Sequence, residues 1–215
     1  YPPSHKTPSL EGNRWTYWDD RRSVLVVEFD DQGKVKTGSV PKECSEEDVV
    51  AVASPVGKQC YTRVNIWYEE RDKIYSINYH KGVMIPAGTR VSVSGFGNDM
   101  IRFSVEGEKE SNVVEHLTKY SNITLEELYE RLFSETNPTA AGGEFGSFTK
   151  EEQNNIRKGV LDRGMSKRAV LMAYGYPPGH RTPDLDYHIW TFWQSRGQRM
   201  VAYLRKDRLI ALDYP

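Results

Sequence analysis

The chain opens with YPPSHKTPSLEGNRWTYWDDRRSVLVVEFDDQGKV at residues 1–35, and a similar stretch, YPPGHRTPDLDYHIWTFWQSRGQRMVAYLRKDRLI, occurs at residues 176–210. Aligned without a gap, the two stretches share Tyr1/Tyr176, Pro2/Pro177, Pro3/Pro178, His5/His180, Thr7/Thr182, Pro8/Pro183, Leu10/Leu185, Trp15/Trp190, Thr16/Thr191, Trp18/Trp193, Arg21/Arg196 and Val26/Val201. Chance does not give this spacing, so the chain contains an internal duplication. We therefore expect at least two structural units within its 215 residues.

Each copy contains strand-like runs rich in aromatic and β-branched residues. In the first copy, residues 15–18 and 23–29 flank a polar turn, and a second turn precedes a short strand at 34–37. This pattern predicts a three-stranded antiparallel meander. The Pro-rich residues 1–14 are expected to form an ordered loop, because each proline fixes φ and removes a hydrogen-bond donor.

The middle of the chain has a different pattern. Residues 38–59 are either a linker or a short helix capped at Ser45. Five short strand-like runs then follow, separated by turn signals, and they predict a small closed barrel. These runs are residues 60–67, 73–79, 90–94, 100–105 and 112–116.

Helix signals dominate the remaining part before the second copy. Thr124 and Thr149 each open a capping-box pattern, and Ser166 is placed to cap a further helix that stops at Gly175. Between the first two helices lies a stretch of small residues that predicts a flexible linker. The resulting divisions are a first meander (1–40), a linker or short helix (41–57), a barrel with a trailing helix (58–135), a flexible linker (136–146) and an α+β domain (147–215).

The C-terminal order of helix, helix, loop and aromatic meander resembles the BamE/SmpA-like superfamily of small bacterial envelope lipoproteins, which also contains the β-lactamase inhibitor protein. The residues that fit its helix motif are Gly164, Met165, Ser166, Val170, Gly175 and Pro177. Residues 84–91 resemble a turn of bacterial SH3-like barrels. The resemblance implies an α+β fold with a partly duplicated two-helix and meander unit flanking an SH3-like barrel. It also implies a periplasmic or outer-membrane-associated location.

The first copy lacks the two helices that precede the second. A three-stranded sheet cannot bury its apolar face alone. Its cover is then a missing upstream segment, another part of this chain, or a second chain, which would give a domain-swapped homodimer. Because Tyr1 opens in the middle of a motif, we expect the natural chain to begin earlier.

The candidate binding residues all lie in the duplicated stretch. In a strand, an i, i+3 spacing sends two rings to opposite faces, so one tryptophan of each pair faces outward, toward a partner or a neighbouring domain. The histidine of each Pro-Pro-x-His loop either contacts a ligand or, with the following threonine, bonds nearby backbone. The candidates are His5, Trp15, Tyr17, Trp18, His180, Trp190, Phe192 and Trp193.

Several functional classes are disfavoured by composition. A net charge of −1 argues against a nucleic-acid binder, and no apolar run is long enough to span a membrane. No cofactor, metal or catalytic pattern is present. Cys44 and Cys60 are either bridged or free thiols. We expect a non-enzymatic envelope protein that binds a protein partner or a cell-wall polymer. The alternative is an inhibitor that binds an enzyme through tandem sheets, and an enzyme is the least favoured class.

Overall fold

A computed structural model of the chain describes residues 5–8, 14–19, 22–29 and 35–39 as backbone, and residues 54–77 and 79–215 in full. The chain divides into two compact units, Tyr1–Val52 and Ala53–Pro215. Together they hold several β-sheets and three α-helices among the described residues, so the fold class is α+β. No described helix has the length and apolar character needed to cross a bilayer.

The described residues of the first unit form a four-stranded antiparallel sheet in sequential order. Its strands are β1 (His5–Pro8), β2 (Arg14–Asp19), β3 (Arg22–Phe29) and β4 (Val35–Ser39). The meander predicted here is confirmed by the β2-β3-β4 pairing. The prediction that residues 1–14 are wholly loop is wrong at β1, which pairs along β2 from Pro8 opposite Trp15 to His5 opposite Trp18. A proline is tolerated there because β1 is an edge strand.

The second unit begins with a curled six-stranded sheet. Its strands are β5 (Gln59–Thr62), β7 (Ile74–Tyr75), β9 (Arg90–Gly97), β10 (Met100–Val105), β11 (Ser111–Glu115) and β12 (Phe133–Ser134). They lie in the order β12-β5-β9-β10-β11-β7. A separate pair consists of β6 (Ile66–Tyr68) and β8 (Val83–Ile85). Within the described residues no ladder joins β12 to β7, so the sheet is a half-barrel where closure was predicted.

Two predicted strands are interrupted in this sheet. The run 60–67 is broken into β5 and β6 because the chain leaves the sheet between them, where the Arg63 N–H bonds the Leu132 carbonyl and the Asn65 N–H bonds the Met172 carbonyl. In the described part of the run 73–79, which excludes residue 78, the strand is β7, and it pairs in parallel with β11. The first interruption occurs where the sheet contacts helices from later in the chain.

Helix α1 (Leu125–Leu132) closes one face of the half-barrel. Thr124 and Glu127 form the predicted reciprocal capping box, and Leu125, Leu128 and Leu132 are buried against the sheet. Cys60 is a fully buried free thiol in the same core, while Cys44 lies outside the described residues. Burial raises the pKa of the Cys60 thiol, and a hydrogen bond with Tyr129 opposes that rise.

The C-terminal layer consists of α2 (Lys150–Lys158) and α3 (Lys167–Tyr174) packed on a three-stranded antiparallel meander. The meander strands are β13 (Ile189–Ser195), β14 (Gln198–Arg205) and β15 (Arg208–Asp213). The predicted caps are confirmed: Thr149 and Glu152 form a capping box, and Ser166 accepts from the Ala169 N–H.

The turn between α2 and α3 runs beside the outer strand β15. The Gly164 N–H donates to the Leu209 carbonyl, and the Leu209 N–H donates back to the Met165 carbonyl at 2.8 Å. The Lys167 N–H continues this contact by donating to the Asp207 carbonyl at 2.9 Å. The turn therefore lies along the β15 edge of the meander.

Residues 136–146, predicted to be a flexible linker, make specific contacts in the structure. Phe145 is buried in the C-terminal core, and its N–H donates to the Pro138 carbonyl at 2.9 Å. A Cβ on Gly143 would lie 2.5 Å from that same carbonyl oxygen, so the small residue permits a tight turn. The small residues of this segment, which predicted a flexible linker, therefore form a compact turn that is anchored by Phe145.

Asn65 joins the half-barrel to the C-terminal helices. Its side chain is buried, and its amide donates to the Ile156 carbonyl at 2.7 Å and to the Ala173 carbonyl at 2.9 Å. Its Oδ1 accepts from the Ala87 N–H at 2.8 Å. The two carbonyls belong to the last turns of α2 and α3, where few intrahelical donors remain, and the Ile156 carbonyl also accepts from the Gly159 N–H at 3.1 Å. One amide therefore links both helix ends.

Candidate functional site

The repeated threonine of the Pro-Pro-x-His-x-Thr-Pro loop has a structural role in the second copy. Thr182 is buried, and its Oγ1 accepts from the Thr191 N–H on the edge of β13 at 3.0 Å. The equivalent residues of the first copy, Thr7 and Thr16, face each other in the β1-β2 register. Both copies thus place this threonine beside the edge of the aromatic strand.

His180 also fixes the loop, because it bonds nearby backbone, which was one of the two predicted alternatives. Its backbone N–H donates to the Tyr120 carbonyl at 3.2 Å, and its Nδ1 lies 3.2 Å from the same oxygen. Its ring lies 5.0 Å from the Tyr120 ring and 6.1 Å from the Trp193 ring, nearly parallel to the latter. Although bonded to backbone, the exposed imidazole also lies between two aromatic rings.

The strand alternation separates the predicted aromatic residues into two groups. Trp190 and Phe192 are only 0 % and 1 % exposed, so both are core residues, and their proposal as binding residues is corrected. Trp193 lies on the opposite face and is half-buried. The physical reason is the two-residue period of a strand, which sends positions 190 and 192 to the same, helix-covered face.

The corresponding candidates of the first copy lie in β1 and β2. The structure describes His5, Trp15, Tyr17 and Trp18 as backbone, with His5 opposite Trp18 in the register. The contacts of their side chains lie outside what is described. Their binding role therefore stays a prediction from the sequence.

Trp193 and His180 belong to a shallow aromatic recess of about 240 Å³. The recess is lined by Ile77, Tyr79, Tyr120, His180, Trp193 and Arg196. Two of these residues were candidates from the sequence. The others come from the segment after β7, the 3-10 turn Thr118–Tyr120 and the β13-β14 hairpin turn. The sequence did not predict these residues, because the half-barrel and the hairpin are far apart in the chain and come together only in the folded protein.

The charge around the aromatic recess is positive. Arg196 is the only charged residue in its described lining, and no carboxylate lines it. Two more cations lie beside its rings: the Arg199 guanidinium is 5.9 Å from the Trp193 ring centre and the Lys119 ammonium is 5.6 Å from that of Tyr120. Burial raises the pKa of Tyr79, against the opposing charge of Arg196, so its hydroxyl is a hydrogen-bond donor at neutral pH.

His80 supports the recess from behind. Its Nε2 lies 2.5 Å from the Tyr174 carbonyl and its Nδ1 lies 3.2 Å from the Trp193 carbonyl, while the ring stacks on Tyr174 at 3.4 Å. The shorter distance assigns the proton of the neutral ring to Nε2. Burial lowers the pKa of His80 to about 4, although both carbonyls favour the charged form. A neutral ring with its proton on Nε2 is anchored to the Tyr174 carbonyl, and it is the His80 backbone N–H, 3.4 Å from the Trp193 carbonyl, that bonds the Trp193 backbone.

A second, polar cavity of about 370 Å³ lies beside α2. Its most buried acid is Glu152, whose carboxylate accepts from the Ser166 N–H at 2.7 Å and from the Thr149 N–H at 2.9 Å. Burial alone would raise the pKa of Glu152, but these hydrogen bonds hold it below its ordinary value. The Glu152 carboxylate thus bonds the N–H groups at the starts of two helices. This cavity is therefore a weaker candidate for ligand binding than the aromatic recess.

Within residues 54–77 and 79–215, no group of three or more His, Cys, Asp or Glu side chains is placed to hold a metal ion. Comparison with known proteins found no matching family model, no similar curated protein and no similar solved structure. Functional inference for this chain therefore starts from the geometry of the aromatic recess.

Proposed function

We propose that the chain is a non-enzymatic recognition protein of the bacterial cell envelope, acting in the periplasm or at the outer membrane. Residues 147–215 would be a BamE-like unit and residues 58–135 an SH3-like barrel. The partner is a cell-wall polymer or another envelope protein, and it is bound through the aromatic recess. The location and both family assignments depend on the sequence resemblance.

The single observation that supports this function best is the composition of the recess. Aromatic faces from three separate segments converge with one arginine in a cavity open to solvent. Aromatic and arginine side chains are the groups that most often dominate the energy of recognition. Tyr120 is 36 % exposed and His180 is exposed, so a partner can reach the rings without a change of fold.

The test is retention of the purified chain on envelope material. Insoluble cell-wall sacculi and an immobilised extract of envelope proteins are offered separately, and the bound fraction is measured. We expect Tyr120→Ala, which removes an exposed ring of the recess, to reduce retention about tenfold, the range of one interface aromatic.

The matched control is Tyr187→Ala. Tyr187 is 54 % exposed and lies outside the lining of the recess, so its loss should leave retention unchanged. Equal retention of Tyr120→Ala and wild type on both materials, with circular dichroism unchanged, would contradict the proposed function. Loss in Tyr187→Ala as well would indicate non-specific adsorption, and it would also contradict it.

A further inference from the structure

We infer that the ligand of the aromatic recess is a carboxylate-bearing saccharide, with one acidic sugar ring seated among Tyr79, Tyr120 and Trp193 and its carboxylate on Arg196. This inference rests on the proposed function and names the chemistry of the partner.

The charge of the recess favours an anion or a strong acceptor. Arg196 lines the cavity without any carboxylate in the lining. None of the ion pairs found among the described residues involves Arg196. A planar guanidinium matches a carboxylate in a bidentate geometry, which a neutral sugar cannot offer.

The walls of the recess suit the face of a sugar ring. The C–H bonds on one face of a pyranose carry partial positive charge, and an aromatic face is the negative part of the ring quadrupole. The Tyr79 hydroxyl adds a donor for a ring hydroxyl or the carboxylate. At about 240 Å³ the recess is smaller than pockets for drug-sized ligands, which hold roughly 300–1,000 Å³, so it takes one ring-sized group.

The backbone beside the recess argues against an extended peptide. A peptide that adds to a sheet edge needs free N–H and C=O groups on that edge. On β13 the Thr191 N–H already donates to Thr182, and the Trp193 carbonyl already faces the His80 N–H at 3.4 Å and its ring Nδ1 at 3.2 Å. With these two groups of β13 engaged, the ring faces and the cations at the recess suit a sugar better than a strand.

The experiment measures binding of the full chain to matched probes by isothermal titration calorimetry. The first pair is the disaccharide of N-acetylglucosamine and N-acetylmuramic acid against chitobiose, which lacks the lactyl carboxylate. The second pair is a hexuronate tetramer against the neutral hexose tetramer of the same linkage. An acetylated, amidated tetraglutamate tests whether negative charge alone is enough.

We expect at least one acidic saccharide to bind about tenfold more tightly than its neutral counterpart, with affinity falling as salt is raised. Arg196→Gln should remove that preference by weakening binding of the acidic saccharide about tenfold. Arg205→Gln is the matched control, because Arg205 is an exposed arginine of the same meander that does not line the recess.

Equal affinity for acidic and neutral saccharides, or tighter binding of tetraglutamate than of any saccharide, would overturn the ligand assignment. If no saccharide binds while the chain is still retained on envelope proteins through Tyr120, the saccharide inference fails and the proposed function stands. If retention on both envelope materials is also absent, the proposed function fails as well.

Discussion

Replacing Asn65 with alanine should destabilise the second unit by about 3 kcal/mol. The Asn65 side chain makes three buried hydrogen bonds, two to the last turns of α2 and α3 and one from the Ala87 N–H. Each is worth on the order of 1 kcal/mol net, and the cost rises where the partner stays buried and unpaired. The site is fully enclosed, because Asn65 itself is only 1 % exposed.

The measurement is urea unfolding followed by circular dichroism, with amide exchange of Ala87 as a local readout. Ala87 loses its acceptor in Asn65→Ala, so its N–H should exchange faster than the change in global stability requires. Asn65→Asp keeps the acceptor and the size but directs carboxylate oxygens at two carbonyls. It should therefore be the less stable variant near neutral pH and regain stability, relative to wild type, when acid protonates the new carboxyl group.

The control is Asn154→Ala, which removes an exposed asparagine from the surface of α2. A loss below about 1 kcal/mol in Asn65→Ala, equal to that of the control, would refute the argument that one amide holds both helix ends. Unchanged exchange at Ala87 would refute the assignment of its hydrogen bond. Either result would mean that packing alone joins the half-barrel to the helices.

Three further changes probe other parts of the second unit. In the folded protein the pKa of His80 is about 4, below its ordinary value of 6.5. The free energy of unfolding should therefore be highest above pH 6.5 and fall by up to about 3 kcal/mol toward pH 4. His80→Phe should remove this loss in acid unfolding curves. Gly159→Ala should cost more than about 1 kcal/mol in urea unfolding, since φ is +64° and the new Cβ would lie 2.5 Å from Trp67. Thr149→Ala should cost about 1 kcal/mol by the same assay, because it removes the acceptor for the Glu152 N–H at the start of α2.

Each of these changes has a contradicting result. A His80→Phe variant with the same acid sensitivity as wild type would place the titrating group elsewhere. Gly164→Ala is the control for Gly159→Ala, because Gly164 also has positive φ but a Cβ there meets nothing within 4 Å. If the two glycine variants lose the same free energy of unfolding, the loss comes from backbone strain alone and not from the contact of the new Cβ with Trp67. No loss in Thr149→Ala would show that water replaces the threonine at the helix start.

Local rules explain the parts of the fold that could be predicted from the sequence. The caps at Thr124, Thr149 and Ser166 depend on residues three positions away, so a short window contains the whole cause. The meander of the second copy depends on alternation and turns, and its three strands lie where the pattern places them. The alternation predicts that Trp190 and Trp193 lie on opposite faces, and the structure places Trp190 in the core and Trp193 on the open face.

Non-local contacts explain what could not be predicted. Asn65 lies in a strand-like run, yet its partners are 91 and 108 residues further along the chain. Tyr79 and Tyr120 carry no motif, and they become part of the recess only because the half-barrel is packed against the hairpin of Arg196. The segment 136–146 has the composition of a tether, and its order comes from the burial of Phe145.

The C-terminal meander is narrow, and other segments bond each of its outer strands at one or two residues. The turn between the helices lies along β15, while Thr182 and His80 bond groups of β13. Exposed strand edges are the usual starting points for intermolecular sheet growth. The native layer thus offers no continuous template for fibril-like stacking. Sheet growth from these edges at high concentration should then require that the turn between α2 and α3, or the loop that contains Thr182, first detach from its strand.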